Sequence, residues 1–207
     1  HTIAATQFQS TDARRAFPCF DEPDMKATFG VSLIVSEDLL AVSNGAQASR
    51  TPLGNGTDRV AFVDTIPLST YLVAFVVGPL EATEPVDVDG VPVRIVYPPG
   101  RGHQTAFALE VATHSLRWLA AWYDLEVPGG KVDLVALPDF AFGAMENLGC
   151  ITFREVLLLV DPDEADQREL EAVASVVSHE LAHLWFGDLV TMRWWNGIWL
   201  NEAFATF

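Results

Sequence analysis

The stretch Val173–Asp188, VASVVSHELAHLWFGD, indicates both the fold and the chemistry of the second half of the chain. Its apolar residues recur at helical spacing, and the acidic run around Pro162 upstream is typical of a helix start. His179 and His183 are four residues apart, so both imidazoles project from one face of a helix. Glu180 lies a fraction of a turn from the first imidazole. We therefore expect a buried helix with an H-E-x-x-H motif, in which Glu180 is free to act as a general base.

Two imidazoles on one helix supply two of the three protein ligands of a catalytic zinc ion. The candidate third ligand is Glu202, in the strongly apolar segment Trp199–Phe204. A carboxylate in such a segment needs a cation or a hydrogen-bond donor, because burial alone raises its pKa and neutralises it. This donor set predicts one catalytic Zn²⁺ per chain. Two simpler interpretations stay open on these letters alone: a pair of surface histidines beside an ordinary glutamate, and an exposed Glu202.

A second candidate site lies in the run Gly143–Asn147, which follows a predicted strand. The glycines and small residues of this run let the backbone approach an extended ligand and hydrogen-bond to it. Glu146 is a carboxylate in an otherwise apolar stretch, and it can pair with a cation of the ligand. Taken by itself, a turn with one charged residue is the simpler interpretation.

The composition describes a folded, acidic protein. Half of the 207 residues are hydrophobic, which excludes a wholly disordered chain. The 12 Lys and Arg against 28 Asp and Glu give a net charge of −16. That charge repels phosphate backbones and anionic lipids, so we expect neither nucleic acid nor a membrane as a partner. Cys19 and Cys150 cannot form a disulfide framework, which fits a reducing compartment, and we expect a cytoplasmic protein.

A change of pattern predicts two domains. β-branched and aromatic runs separated by turn residues fill roughly the first ninety positions and favour short antiparallel strands. The predicted strands there are Thr28–Val35, Val60–Ile66, Tyr71–Val77 and Val91–Tyr97. From Gln104 the pattern predicts a helix to Tyr123, strands at Val132–Leu137 and Leu157–Val160, and a long helix ending near Gly187. We expect an α+β chain, with a first domain of residues 1–88 and a second of residues 89–207.

The sequence resembles the M1 family of zinc aminopeptidases, gluzincins related to aminopeptidase N, from Thr6 to Phe207. Three blocks carry the resemblance: Thr6–Gln9 with Ala16–Pro23, the GAMEN run Gly143–Asn147, and His179–Asp188 with Trp194–Asn196 and Trp199–Glu202. The implied fold is an N-terminal antiparallel, β-sandwich-like domain followed by part of a thermolysin-like α/β catalytic domain. The implied activity is removal of the N-terminal residue from peptides with a free α-amino group.

The resemblance also implies roles for single residues. The expected zinc ligands are His179, His183 and Glu202, and Glu180 is the expected base. Glu146 is expected to bind the α-ammonium of the peptide, with Gln9 as a second contact to the amine. The residues expected to line the path of the peptide are Gln7, Gly143, Ala144 and Met145.

Alternatives from other classes remain at this point: a catalytically silent peptide-binding module, a zinc endopeptidase, and a bifunctional epoxide hydrolase of the same family. Glu180 weighs against the first, because a structural metal site needs no base. Glu146 and Gln9 weigh against the second, because capture of an amine serves no purpose at internal bonds. The ends of the sequence suggest a piece of a longer protein, with the family's transition-state-stabilising tyrosine expected beyond Phe207. The oligomeric state stays open.

Overall fold

Within residues 2–206, the part of the chain that the computed structural model describes, there are twelve strands and three α-helices. The strands are β1 (Ala4–Ala5), β2 (Ser32–Ser36), β3 (Leu40–Ser43), β4 (Gln47–Pro52), β5 (Thr57–Phe62), β6 (Phe75–Gly78), β7 (Glu81–Ala82), β8 (Val86–Val88), β9 (Val91–Tyr97), β10 (Val132–Leu137), β11 (Ala144–Met145) and β12 (Cys150–Arg154). The helices are α1 (Ala106–Tyr123), α2 (Gln167–Ala182) and α3 (Trp199–Thr206).

The first part of the chain forms two antiparallel sheets, in the strand orders β2-β5-β4 and β1-β6-β3. In the first sheet Leu33 pairs with Val60, and in the second Leu40 pairs with Gly78. Alternate residues of β5 are buried, as expected for a sheet with one face on a core. The expected antiparallel strands are therefore confirmed, although their ends differ from the predicted ones.

The strand predicted over Tyr71–Val77 is shorter than expected. Thr70–Leu72 forms a 3₁₀ turn, and only β6 pairs with its neighbours. The cause is the side chain of Asn44, whose Oδ1 accepts a hydrogen bond from the main-chain N–H of Ala74 at 2.9 Å. Its Nδ2 donates to the carbonyl oxygen of Leu72 at 2.8 Å. Asn44 thus takes the main-chain groups that a longer strand would need.

The second part is built on a mixed sheet in the order β11-β12-β10-β9-β7, with β8 also paired to β9. Strand β10 is parallel to both β9 and β12, and all of its residues are buried, as is usual for a central parallel strand. Because β7 and β8 pair with β9, this sheet uses strands from both sides of position 88. The boundary between residues 1–88 and 89–207 stays a prediction.

The prediction of a strand over Leu157–Val160 is wrong. Glu155–Leu157 forms a 3₁₀ turn, and the N–H of Val160 donates to the carbonyl oxygen of Gln104 at 3.1 Å. The apolar run Leu158–Val160 is buried in the core without joining a sheet. The strand that pairs with β10 on the side away from β9 is β12, which the sequence analysis missed.

Helix α2 contacts α1 and β11, and it brings the H-E-x-x-H motif to one end of the mixed sheet. Its start is fixed by a capping box, in which Asp166 accepts from the main-chain N–H of Glu169 and the Glu169 side chain accepts from that of Asp166. Val173, Val177 and Leu181, spaced by four residues, are buried on its inner face.

The fold is α+β, as expected, with antiparallel sheets followed by helices on a mixed sheet. Among the helices of residues 2–206, none combines the length and the apolar character needed to cross a membrane.

Candidate active site

Three potential ligand atoms converge between α2 and α3. Helix α2 ends at Ala182, and His183 is its C-terminal cap, so His179 and His183 face the same way one turn apart. Their Nε2 atoms are 3.0 Å from each other. Oε2 of Glu202, in the first turn of α3, is 3.4 Å from Nε2 of His179 and 3.8 Å from Nε2 of His183.

This cluster fits a zinc ion. Ligand atoms bonded at about 2.0–2.2 Å to a tetrahedral zinc lie roughly 3.3–3.6 Å from one another. The three separations of 3.0, 3.4 and 3.8 Å bracket that range. Two imidazole nitrogens and one carboxylate oxygen are also the donor set of a catalytic rather than a structural zinc site.

The outer nitrogen of each imidazole has a partner of its own. Nδ1 of His183 is 2.9 Å from the carbonyl oxygen of Phe186, and because a carbonyl only accepts, this nitrogen carries the proton. Nε2 of His183 is therefore the unprotonated nitrogen, and it faces Nε2 of His179 and the carboxylate of Glu202. Nδ1 of His179 lies 3.3 Å from the hydroxyl of Thr206 on α3. The hydrogen bond with His179 holds the pKa of Glu202 below its ordinary value despite partial burial.

Glu180 is buried beside the cluster without joining it. Its Oε2 has no hydrogen-bond partner among residues 2–206. Burial, followed by the charges of Glu146 and Glu202, raises the pKa of Glu180 well above its ordinary value. A carboxylate in this environment is a stronger base than one in water, which suits a group that accepts a proton.

The run 143–147 forms the edge of the mixed sheet. Ala144 and Met145 pair with Phe153 and Thr152 of β12, which leaves the other edge of β11 without a strand among the described residues. Glu146 follows β11 and is 4% exposed. Its Oε1 has no hydrogen-bond partner within the described chain. Burial raises the pKa of this carboxyl, and the nearby His183 offsets part of the effect.

One ligand atom from each of Glu146, Glu180 and His183 lies within 4.8 Å of the others. The carboxylate of Glu146 is therefore a near neighbour of the three-residue cluster, and the two features found separately in the sequence form one site. This arrangement can hold a metal ion and, beside it, a second cationic group on the carboxylate of Glu146.

Gln7 and Gln9 precede the site in the first part of the chain. Nε2 of Gln7 donates to Sδ of the buried Met145 at 3.1 Å, so Gln7 lies against the GAMEN run. Gln9 is half-buried, and its side chain makes no hydrogen bond within residues 2–206. Gly143 and Ala144 are half-buried at the same edge.

Two models of one family match the chain. The Peptidase M1 N-terminal domain matches residues 1–72, and the Peptidase family M1 domain matches residues 107–207. The chain belongs to peptidase family M1.

Relatives of this M1 chain are aminopeptidases by name. It is 49% identical over 206 residues to a puromycin-sensitive aminopeptidase of Caenorhabditis elegans, covering 99% of the chain and 22% of that protein. It is 46% identical over 205 residues to aminopeptidase M1 of Arabidopsis thaliana, covering 99% of the chain and 23% of that protein. Identity to glutamyl aminopeptidase of Bos taurus is 40% over 206 residues, covering 100% of the chain and 22% of that protein. The chain thus spans a little over a fifth of the length of these relatives.

The sequence analysis missed one acidic residue of this M1 site. Asp188 is buried, and neither of its carboxyl oxygens has a hydrogen-bond partner among residues 2–206. Burial, followed by the charge of Glu146, raises the pKa of Asp188 well above its ordinary value. Lys26 approaches the same place, but its Nζ donates to the main-chain oxygens of Asp188 and Leu189, at 2.7 and 3.0 Å. A charged residue inside the apolar run WFGDLV was the signal that could have revealed it.

Proposed function

We propose that the whole protein containing this chain is a zinc-dependent aminopeptidase, which removes the N-terminal residue from peptides with a free α-amino group. The observation that carries the proposal is the buried carboxylate of Glu146, with an unpartnered oxygen, next to two imidazoles and a second carboxylate that converge. An endopeptidase or a purely structural zinc site has no use for that extra anion.

The proposed zinc ligands are His179, His183 and Glu202, for one ion per chain, and their separations and donor atoms support this. When bound, zinc supplies a Lewis acid that polarises the scissile carbonyl and lowers the pKa of a water molecule. The contacts of the outer nitrogens with the Phe186 carbonyl and the Thr206 hydroxyl orient both imidazoles for this task.

Glu146 is the proposed anchor of the substrate. A free α-ammonium supplies the partner that its buried oxygen lacks, so the amine end of the peptide is held at a fixed distance from the imidazoles. Only the first carbonyl of the peptide then reaches the reacting position. A peptide with a blocked amine leaves Glu146 buried and unpaired, which costs the desolvation of both groups.

The remaining contacts guide the peptide. We assign Gln9 to a second contact with the amine, and Gln7 with Met145 to the wall of the first side-chain pocket, which the contact between the last two supports. Gly143 and Ala144 lie on the free edge of β11 and can hydrogen-bond an extended peptide as an added strand.

Glu180 is the proposed general base. Its raised pKa suits removal of a proton from the attacking water, and the same carboxyl then passes that proton to the leaving amine. Its unpartnered oxygen leaves room for this exchange.

The deciding experiment compares an aminoacyl chromogenic substrate with its N-acetylated twin, using the whole protein before chelation, after chelation and after return of zinc. We expect cleavage of the free-amine substrate alone, lost on chelation and restored by zinc. Equal cleavage of the twins contradicts an aminopeptidase and favours an endopeptidase. Stoichiometric zinc without turnover favours the silent binding module, and turnover of an epoxide alone favours the hydrolase.

We further propose a cytoplasmic location. Cys19 and Cys150 are both free thiols in the structure, which supports a reducing compartment. The acidic balance gives no support to a nucleic acid or a membrane as partner. Cell fractionation followed by activity and immunoblot tests the location, and recovery in the secreted fraction contradicts it.

A further inference from the structure

The ring of Tyr71 joins the two parts of the chain that different family models match. Tyr71 belongs to the 3₁₀ turn Thr70–Leu72, at the end of the segment matched by the N-terminal domain. It is 1% exposed, although it carries a hydroxyl. Its ring packs edge-on against that of Trp195, with 5.3 Å between centroids and 65° between planes. Trp195 lies in the turn that leads into α3.

The hydroxyl of Tyr71 reaches the residue next to the proposed third zinc ligand. It accepts a hydrogen bond from Nδ2 of Asn201 at 3.2 Å, and it is 3.5 Å from the carbonyl oxygen of Gly187. Asn201 is the immediate neighbour of Glu202 on α3, and Gly187 lies in the turn that follows His183. A single oxygen atom therefore touches both segments that carry the proposed ligands.

The amide of Asn201 depends on this contact. Asn201 is fully buried, its Oδ1 has no partner, and Tyr71 is the only side chain within residues 2–206 that its Nδ2 contacts through a hydrogen bond. Without the hydroxyl, both ends of a buried amide lack partners, a situation that native structures avoid. Burial, followed by the charge of Glu146, raises the pKa of Tyr71 well above its ordinary value, so the hydroxyl keeps its proton.

Glu202 has little else to hold it. Its side chain is 48% exposed, and its contacts with His179 and His183 are those of the cluster itself. The eight-residue α3 is short, so its placement depends on packing at its start rather than on helix stability. That start is where Tyr71 holds Trp195 and Asn201.

We propose that Tyr71 is a positioning residue for the metal centre, which acts through Asn201 to hold Glu202 opposite His179 and His183. The inference rests on the zinc site of the proposed function and adds to it a residue from the other part of the chain. Tyr71 touches neither substrate nor metal in this role; it fixes the helix that presents the third ligand.

The test measures zinc affinity of the whole protein by competition with a chromogenic chelator. The variant Tyr71→Phe keeps the ring on Trp195 and removes only the hydroxyl. We expect its zinc dissociation constant to rise roughly 10- to 100-fold, the range found for partners that orient metal ligands. The matched control is Tyr97→Phe, in a buried tyrosine of β9 whose hydroxyl lies beside Gly102. We expect less than about a twofold change in its zinc affinity.

A second variant tests the route through Asn201. We expect Asn201→Ala to weaken zinc binding by a similar factor, and the double variant to weaken it no further, because both changes break one contact. Equal zinc affinity of Tyr71→Phe and the wild type overturns the proposal, and additive losses overturn the route through Asn201. Where Tyr71→Phe does not fold, unchanged affinity of Asn201→Ala overturns it.

These outcomes are distinct from failure of the proposed function. A wild type that binds zinc but cleaves no peptide contradicts the aminopeptidase and leaves the comparison valid, because its readout is binding. A wild type that takes up no zinc overturns both proposals.

Discussion

The main-chain oxygen of Phe186 accepts a hydrogen bond from Nδ1 of His183 at 2.9 Å, across the turn that ends α2. This contact fixes which nitrogen of the ring is protonated, and the unprotonated Nε2 faces His179 and Glu202. The two residues are three positions apart, so the H-E-x-x-H motif and the turn behind it form one unit that presents an imidazole ready to bind a metal.

Replacement of His183 removes one of the three proposed zinc ligands. We expect His183→Asn in the whole protein to lose stoichiometric zinc and to lose activity by more than roughly a hundredfold, because a lost ligand costs more than a lost outer contact. Elemental analysis after dialysis measures the zinc. The control is His103→Asn in an exposed turn, which should keep both zinc and activity. Full zinc occupancy in His183→Asn contradicts the ligand assignment.

Replacement of Glu146 separates its proposed role in substrate capture from the proposed metal binding. We expect Glu146→Gln to keep its zinc and to lose kcat/KM on a free-amine substrate by roughly 10²- to 10⁴-fold, because loss of one member of a buried ion pair costs about 3–5 kcal/mol. Cleavage of the N-acetylated twin should change little, so the preference between the twins shrinks. Glu126→Gln, at an exposed position, is the control. If Glu146→Gln keeps the wild-type preference for the free-amine substrate, Glu146 does not bind the α-ammonium.

Replacement of Glu180 tests the base. We expect Glu180→Gln to bind zinc as the wild type does and to bind a free-amine inhibitor, while kcat falls about 10²- to 10⁴-fold, the usual contribution of general base catalysis. Pre-steady-state and steady-state rates on the chromogenic substrate measure the loss. Turnover near the wild-type rate in Glu180→Gln shows that another group accepts the proton.

The buried ion group of the mixed sheet predicts a loss of stability in acid. Asp133 accepts from Arg94 at 2.7 Å and from Lys131 at 2.8 Å, and all three lie away from the site. Burial raises the pKa of Asp133, but the two cations more than offset this and hold it below its ordinary value. The folded-state pKa is depressed, so the stabilisation is present above the unfolded pKa of about 3.9 and is lost as the pH falls below it, through the folded value.

We therefore expect Asp133→Asn to lower the unfolding midpoint at pH 7, with a cost of about 3–5 kcal/mol because Lys131 stays buried without its partner. The difference in unfolding midpoint between Asp133→Asn and the wild type should become smaller as the pH falls below about 4. Thermal unfolding of the whole protein at several pH values measures it, with the exposed Asp38→Asn as control. A difference in unfolding midpoint that is constant from pH 7 to pH 3 contradicts an ionised Asp133 paired with Arg94 and Lys131.

Sequence patterns predicted those strands and helices whose formation depends on residues close together in the sequence. The strands Val91–Tyr97 and Val132–Leu137 and the helix that carries His179 follow from β-branched runs and helical spacing, and the structure has them. The strand prediction for Leu157–Val160 failed, because an apolar run indicates that a segment is buried but not whether it joins a sheet. The shorter strand after Tyr71 depends on the amide of Asn44, which no pattern near Tyr71 announces.

The same distinction applies to the candidate site. The two histidines and Glu180 lie on α2 and its C-terminal cap, so spacing alone relates them. The nearness of Glu146 and the contact between Tyr71 and Asn201 join residues from distant parts of the sequence. Such contacts arise from tertiary packing, and the spacing of residues along the chain carries no record of them.

The crowding of Glu146, Glu180 and Asp188 affects the stability of the folded protein. Like charges in a buried space repel, and each residue escapes that repulsion only by taking up a proton or by meeting a cation. A zinc ion at the proposed site would offset part of this repulsion, and its binding free energy would add to the stability of the native state. We therefore expect the whole protein to unfold at a lower temperature after chelation than with the proposed zinc ion bound.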